Sequence, residues 1–162
     1  MDNIGINDDI YIALPKDVEF VIHTLNKNSY QAFIVGGCVR DALLGIEPKD
    51  WDITTDALPY EIKNIFEKTI DTGLKHGTVT VLTHNQSIEV TTYRIEGKYS
   101  DHRRPDKVIF TSHLEQDLAR RDFTINSIAY HPQKGIIDPF KGIYDLNKGI
   151  IRAVGDADKR FE

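Results

Sequence analysis

At 162 residues, 40% apolar and 28% charged, the chain has room for one domain with a real core and not for two comfortable ones. A net charge of −5 argues against a protein coated in phosphate contacts, and no run approaches the roughly 20 apolar residues of a membrane helix. The acidic start, Met1-Asp2-Asn3-Ile4, lacks a secretory pattern, and a lone Cys38 excludes an internal disulfide or a cysteine-built zinc site, so the chain reads as cytoplasmic.

Residues 1–15 read as an N-terminal extension to a single domain over 16–155, since no repeat, low-complexity tract or linker interrupts it. Val18, Val21, Ile22 and Leu25 recur at helical spacing, predicting a helix over 16–28 with Asp17 as its cap. Ala32-Phe33-Ile34-Val35 is a short apolar run ending at Gly36-Gly37, the pattern of a buried strand feeding a tight turn. A helix over 39–44 follows, closed by Gly45. Residues 51–55 are strand-like, and Pro59 opens a helix through Ile62, Ile65 and Phe66. Residues 78–82 and 87–93 alternate with period two around His84-Asn85-Gln86, predicting an antiparallel hairpin. A loop over 96–107 leads to a helix through Leu114, Leu118 and the Arg120-Arg121 pair, then a second helix over 125–129. The apolar tail Ile136-Ile137, a turn at Lys141-Gly142 and a strand-like 150–154 complete a mixed α/β (α+β) domain with a mixed sheet.

Four constellations carry chemistry. A strand ending in Gly36-Gly37 before a helix lets backbone N–H groups approach a phosphate, and Arg40 offers a fork suited to its oxygens. Asp50 and Asp52, two apart on a strand, project from one face while Trp51 and Ile53 pack behind, and paired hard oxygens suit Mg²⁺. Glu89 alternates against the core residues Ile88 and Val90, so it can turn a third carboxylate toward the aspartates. In Arg120-Arg121-Asp122-Phe123-Thr124-Ile125-Asn126, adjacent helical arginines diverge by about 100°, so one can reach a triphosphate while the other reaches elsewhere or pairs with an acid. Asp122 or Thr124 is placed to cap the next helix, and Phe123 is expected in the core. Arg103, Arg104 and Lys107 concentrate positive charge in the preceding loop, where a polyanion can sit; the bland alternative is a solvated surface. Asp71-Thr72-Gly73 imitates an aspartic-protease core, but Leu74 stands where a small residue is required.

These motifs, with Lys75-His76-Gly77-Thr78-Val79, Ile137-Asp138-Pro139-Phe140 and Ile151-Arg152-Ala153-Val154-Gly155, occur in an order that resembles the head domain of class II CCA-adding enzymes. These are tRNA nucleotidyltransferases that share a superfamily with bacterial poly(A) polymerases, and the match covers roughly residues 20–162. The resemblance implies a polymerase-β-like nucleotidyltransferase head, a twisted mixed sheet flanked by helices. It assigns Asp50 and Asp52 to Mg²⁺, with Glu89 as the third catalytic carboxylate. Gly36, Gly37, Arg40, Arg121 and Asn126 fall to the nucleotide, and Arg103, Arg104 and Lys107 to a flexible or RNA-binding loop. The implied reaction is in-line attack of a tRNA 3′-hydroxyl on CTP or ATP, releasing pyrophosphate, with RNA recognised at the acceptor stem through shape and backbone.

One departure bears on specificity. The family's Glu-Asp-x-x-Arg base-selecting helix lies in the neck domain, and here residues 156–162 would only begin it. The expectation is an N-terminal fragment that binds Mg²⁺ and a triphosphate without base preference and is weakly active or inactive alone. A poly(A) polymerase, a CC-only or A-only enzyme, and a non-catalytic RNA- or nucleotide-binding domain are the rivals.

Overall fold

The computed structural model describes residues 10–95 and 108–155. The loop expected over 96–107, with Arg103, Arg104 and Lys107, and the segment 156–162 lie outside the described residues. Helix α1 (Lys16–Lys27), β1 (Ala32–Val35), α2 (Gly37–Leu43), β2 (Asp52–Thr55) and α3 (Pro59–Ile65) follow one another. Then come β3 (Thr69–Gly73), a 3₁₀ turn (Leu74–His76), β4 (Thr78–Leu82), β5 (Ser87–Thr92) and the short β6 (Arg94–Ile95). After the gap lie β7 (Ile109–Phe110), α4 (Leu114–Ala119), a 3₁₀ turn (Thr124–Asn126), β8 (Ala129–His131), β9 (Gly135–Ile137) and α5 (Gly142–Lys148).

Seven strands form one sheet in the order β3-β4-β5-β2-β1-β8-β9, and β6 pairs β7 in a separate ribbon. Every ladder in the large sheet is antiparallel except β2 with β5, which is parallel, so the sheet is mixed as expected. Strand β1, between β2 and β8, is buried along its whole length. Its period-two alternation sends Ala32 and Ile34 into the main core with Val18, Val21, Leu25, Ile53, Ile62, Val79 and Val90. Phe33 and Val35 enter a smaller cluster with Leu118 and Ala129. Each fully buried Leu, Ile or Val contributes roughly 1.5–3 kcal/mol, so the two clusters hold the sheet between α1 and α3 on one face and α4 on the other. Ile12 also reaches the main core, and its N–H donates to the Tyr130 hydroxyl at 3.2 Å. Among the described residues no helix is long and apolar enough to cross a membrane.

Several expectations are corrected. Helix α1 starts at Lys16, with Pro15 in the cap position. Asp17 therefore lies inside the first turn, where its carboxylate accepts the Asn85 N–H at 3.1 Å. Helix α4 stops at Ala119, and Arg120 is its C-cap. No second helix covers 125–129; one 3₁₀ turn gives way to β8, because Ile128, Ala129 and Tyr130 are buried in an extended ladder against β1. Phe123 is half-buried rather than core, and its bridge to Ala153 is all that comes of the expected strand over 150–154. Thr124 caps nothing but donates its hydroxyl to Asp145 at 2.6 Å. Asp122 is exposed.

Helix α5 was not foreseen. It begins where a turn was expected because the Asp138 carboxylate accepts the N–H groups of Gly142 at 2.7 Å and Ile143 at 3.0 Å. The edge strands β3 and β9 were also missed. β3 consists largely of exposed polar residues with a register irregularity between Ile70 and Gly73, features that suppress the period-two signal.

Candidate active site

The topology brings the constellations to one edge of the sheet. Strand β1 runs to Val35 and its antiparallel neighbour β2 begins at Asp52, so the Gly36-Gly37 turn and Asp52 sit side by side. Parallel pairing puts Glu89 in register with Asp52. On the other flank, Val35 pairs with Ala129, which carries the preceding Thr124–Asn126 turn to the same edge. These elements enclose a cleft of about 270 Å³ lined by Gly36, Gly37, Asp52, Arg120, Arg121, Asp122 and Asn126.

Gly36 has φ +82°, a left-handed conformation that no β-carbon tolerates comfortably. It turns the chain sharply into α2 and leaves backbone facing the cleft, with Arg121 Nη1 3.5 Å from where a β-carbon would sit. Gly36→Ala is therefore expected to lower stability by about 1–3 kcal/mol and to weaken triphosphate binding, read by thermal unfolding and by titration. Arg40 does not line the cleft. Its Nη1 donates to Asn126 Oδ1 at 2.8 Å and its Nε to Asp41 Oδ1 at 3.1 Å, so Arg40 orients the Asn126 amide and leaves the NH₂ to meet a ligand.

Asp50 lies in a bend before β2 and is exposed, whereas Asp52 is the first strand residue and partly buried. The two aspartates are thus not equivalent rungs of one strand. Trp51 and Ile53 do pack behind, at 6% and 1% exposure. Burial pushes the Asp52 carboxyl up to about 6, helped by the Glu89 carboxylate and opposed by the Arg121 guanidinium, with Asp50 adding a smaller upward push. Two carboxylates in register at the edge of a cleft are a donor set suited to a hard dication. Among the described residues no cluster of three or more His, Cys, Asp or Glu forms a ready-made metal cage. Asp52 and Glu89 are the two carboxylates that stand in register there and could hold such an ion. Cys38 beside it is no nucleophile, since burial raises its thiol to about 11.

The arginine pair behaves differently from the expectation. Because α4 ends at Ala119, Arg120 and Arg121 do not diverge but converge on Asp117, which has no exposed surface. Arg120 Nε donates to Oδ1 and Arg121 Nη2 to Oδ2, each at 3.3 Å. Burial lowers the Arg120 guanidinium to about 10, Arg121 lowers it further, and Asp117 opposes both. Sequence reasoning passed over Asp117, although an acid three and four residues before an arginine pair at a helix end is a usable signal.

The chain matches the family described as the poly A polymerase head domain over residues 32–152. It is 55% identical to a CCA-adding enzyme of Lactobacillus johnsonii over 141 residues, covering 87% of this chain and 35% of that protein. It is 50% identical to a CCA-adding enzyme of Ligilactobacillus salivarius over 157 residues, covering 97% of this chain and 38% of that one. Among solved structures, the CCA-adding enzyme of Bacillus stearothermophilus in complex with CTP aligns with a TM-score of 0.82 at 45% identity, covering 90% of this chain and 35% of that chain. The Thermotoga maritima CCA-adding enzyme complexed with tRNA aligns with a TM-score of 0.68 at 28% identity, over 88% of this chain and 34% of that one. The chain thus spans little more than a third of the length of the curated relatives it matches.

Proposed function

The chain belongs to the poly A polymerase head domain family, and we propose that it is the catalytic head of a cytoplasmic tRNA nucleotidyltransferase that adds C and A to tRNA 3′ ends. The observation that supports this most directly is the in-register Asp52–Glu89 pair at the edge of a cleft whose opposite wall is Gly36-Gly37 and Arg121. Acids on one side and backbone N–H groups with a guanidinium on the other suit a nucleoside triphosphate that bridges a metal and a phosphate cradle. The close relatives favour CCA addition over poly(A) addition within this family.

In this reading Asp52 and Glu89, with Asp50 at the rim, would hold Mg²⁺, whose chemistry would be to acidify the attacking 3′-hydroxyl and offset charge on the departing pyrophosphate. The chain's own residues orient the substrate for in-line displacement. The Gly36-Gly37 backbone and Arg121 hold the β- and γ-phosphates, and the Asn126 NH₂, aimed by Arg40, donates to the bound nucleotide. The buried walls behind Asp52 limit water at the reacting phosphorus. Arg103, Arg104 and Lys107, outside the described residues, bring positive charge suited to the backbone of the tRNA acceptor stem. A purely binding domain has no use for two carboxylates that repel both each other and an incoming phosphate, so a non-catalytic role is disfavoured.

No described residue of the cleft offers a base-sized recognition pocket; its lining is glycine, acid, arginine and one amide. The chain is accordingly expected to bind ATP, CTP, GTP and UTP with dissociation constants within about threefold, less than 1 kcal/mol apart. Calorimetric titration of the four nucleotides with Mg²⁺ tests this. A strong preference for CTP and ATP would refute base-indifferent binding, and no binding of any would remove the proposed function.

A further inference from the structure

We propose that Asp117 is a positioning residue that presets Arg121, so that the cationic wall of the cleft exists before a triphosphate arrives; this rests on the reading of the cleft given above. The Asp117 carboxylate is wholly buried and receives four donors. Oδ1 accepts the Arg94 backbone N–H at 3.0 Å and Arg120 Nε at 3.3 Å. Oδ2 accepts the Thr54 hydroxyl at 3.0 Å and Arg121 Nη2 at 3.3 Å. Thr54 lies two residues beyond Asp52 on β2, and Arg94 opens β6 just beyond β5, the strand of Glu89. One carboxylate thereby ties the arginine wall to β2, the strand of Asp52, and to β6, which follows the strand of Glu89.

Three observations give this node a direction. Among the described residues, Asp117 is the sole hydrogen-bonding side-chain partner of the Arg121 guanidinium, whose Nε is buried without a partner. Arg121 Nη1 stands over Gly36 on the far side, so the side chain spans the distance from Asp117 to the glycine turn. Arg94, Arg120 and Arg121 surround a single carboxylate; Arg94 Nη1 also donates to the His76 carbonyl at 2.8 Å. Of the three, Arg120 and Arg121 line the cleft, so the node sets guanidinium groups on the wall where an anion binds. A free arginine loses rotamer freedom when it closes on a phosphate, and one already held by a buried acid does not.

The test compares Asp117→Asn with Thr54→Val in the 162-residue chain, using ATP and inorganic tripolyphosphate as probes. Asp117→Asn keeps the size of the side chain and removes its charge; it is expected to weaken both probes by about tenfold or more. Thr54→Val removes one hydrogen bond to the same oxygen and leaves the charge and Arg121 contact in place. It should lower the unfolding midpoint while keeping both affinities within about twofold. Unchanged affinity in a folded Asp117→Asn protein overturns the role of Asp117. Should that variant not fold, the Arg121 guanidinium ¹⁵N signals of the unsubstituted, nucleotide-free chain decide. Two resolved Nη resonances, reporting hindered rotation, support the proposal, and one averaged resonance overturns it. Failure of the unsubstituted chain to bind either probe instead removes the triphosphate reading, and the proposal with it.

Discussion

Asp52→Ala is expected to weaken Mg²⁺-dependent ATP binding by about 10²-fold and to lower any nucleotidyl transfer by at least about 10³-fold. The reason lies in the asymmetry of the acids. Asp50 is exposed in a bend and Glu89 is exposed on its strand, whereas Asp52 is partly buried between the Gly36-Gly37 turn and Arg121. A carboxylate partly withdrawn from water would form the strongest metal bond of the three, because less hydration competes for it. Removing it also relieves the repulsion that Asp52 exerts on phosphate. Tripolyphosphate without a divalent ion should therefore bind the variant as well as, or better than, the original chain. Titrations of both probes with and without Mg²⁺ read this out, with Mn²⁺ electron-spin resonance as an independent count of bound metal. A variant with undiminished metal-dependent ATP binding would remove Asp52 from the metal site and shift the assignment to Asp50 and Glu89.

Gly142→Ala is expected to destabilise the fold by about 3 kcal/mol or more, at the upper end of overpacking effects. A β-carbon at Gly142 would lie 2.2 Å from the Thr124 carbonyl oxygen and 2.8 Å from the Ile128 side chain. The first neighbour is backbone and cannot swing aside, so α5 must back away from the Thr124–Asn126 turn. That movement strains the Asp138 bonds to the first turn of α5 and the bond between Thr124 and Asp145. Asp145 has a matching signature: burial works against its charge, yet the bonds from Thr124 and Arg152 hold its carboxyl below the usual range. The same turn carries Asn126 into the cleft, so ATP affinity should fall together with stability. Gly149→Ala is the comparison. Gly149 has φ +68° but no atom near a prospective β-carbon, so about 1 kcal/mol is expected there with ATP affinity unchanged. Equal unfolding midpoints for the two variants would show that α5 is not wedged against the turn.

The parts of the fold that were legible in the sequence are those where one local rule dominates. Val18, Val21, Ile22 and Leu25 face one core, and the period of their spacing announces α1. Residues 78–82 and 87–92 alternate because one face of their hairpin is buried, and the glycine pair betrays the turn after β1. Other elements are set by distant partners. The extended form of Ala129–His131 comes from pairing with β1 and with β9, although Ile125 to Ala129 read locally as helical. Helix α5 depends on a side chain, Asp138, that precedes it by four residues and carries no periodic mark. At the cleft, residue types exposed the acids, the glycines and the arginines, but not which of them meet. Arg40, expected on phosphate, also reaches Asn126, and both cleft arginines share an acid hidden in the helix before them. A linear reading finds charges readily and counterions poorly, since a counterion is defined by the fold.

The single parallel ladder in an otherwise antiparallel sheet has a kinetic corollary. Hairpins such as β4–β5 close within a few residues, but β2 meets β5 only after α3, β3 and β4 have been laid down between them. Joining such remote segments carries a large loop-closure penalty and comes late in folding. Asp52 and Glu89 are therefore strangers in a growing chain until β2 and β5 have paired. A polypeptide emerging from a ribosome exposes both acids yet offers divalent ions no paired grip, so capture of a cation at the proposed site would report folding of this sheet rather than guide it.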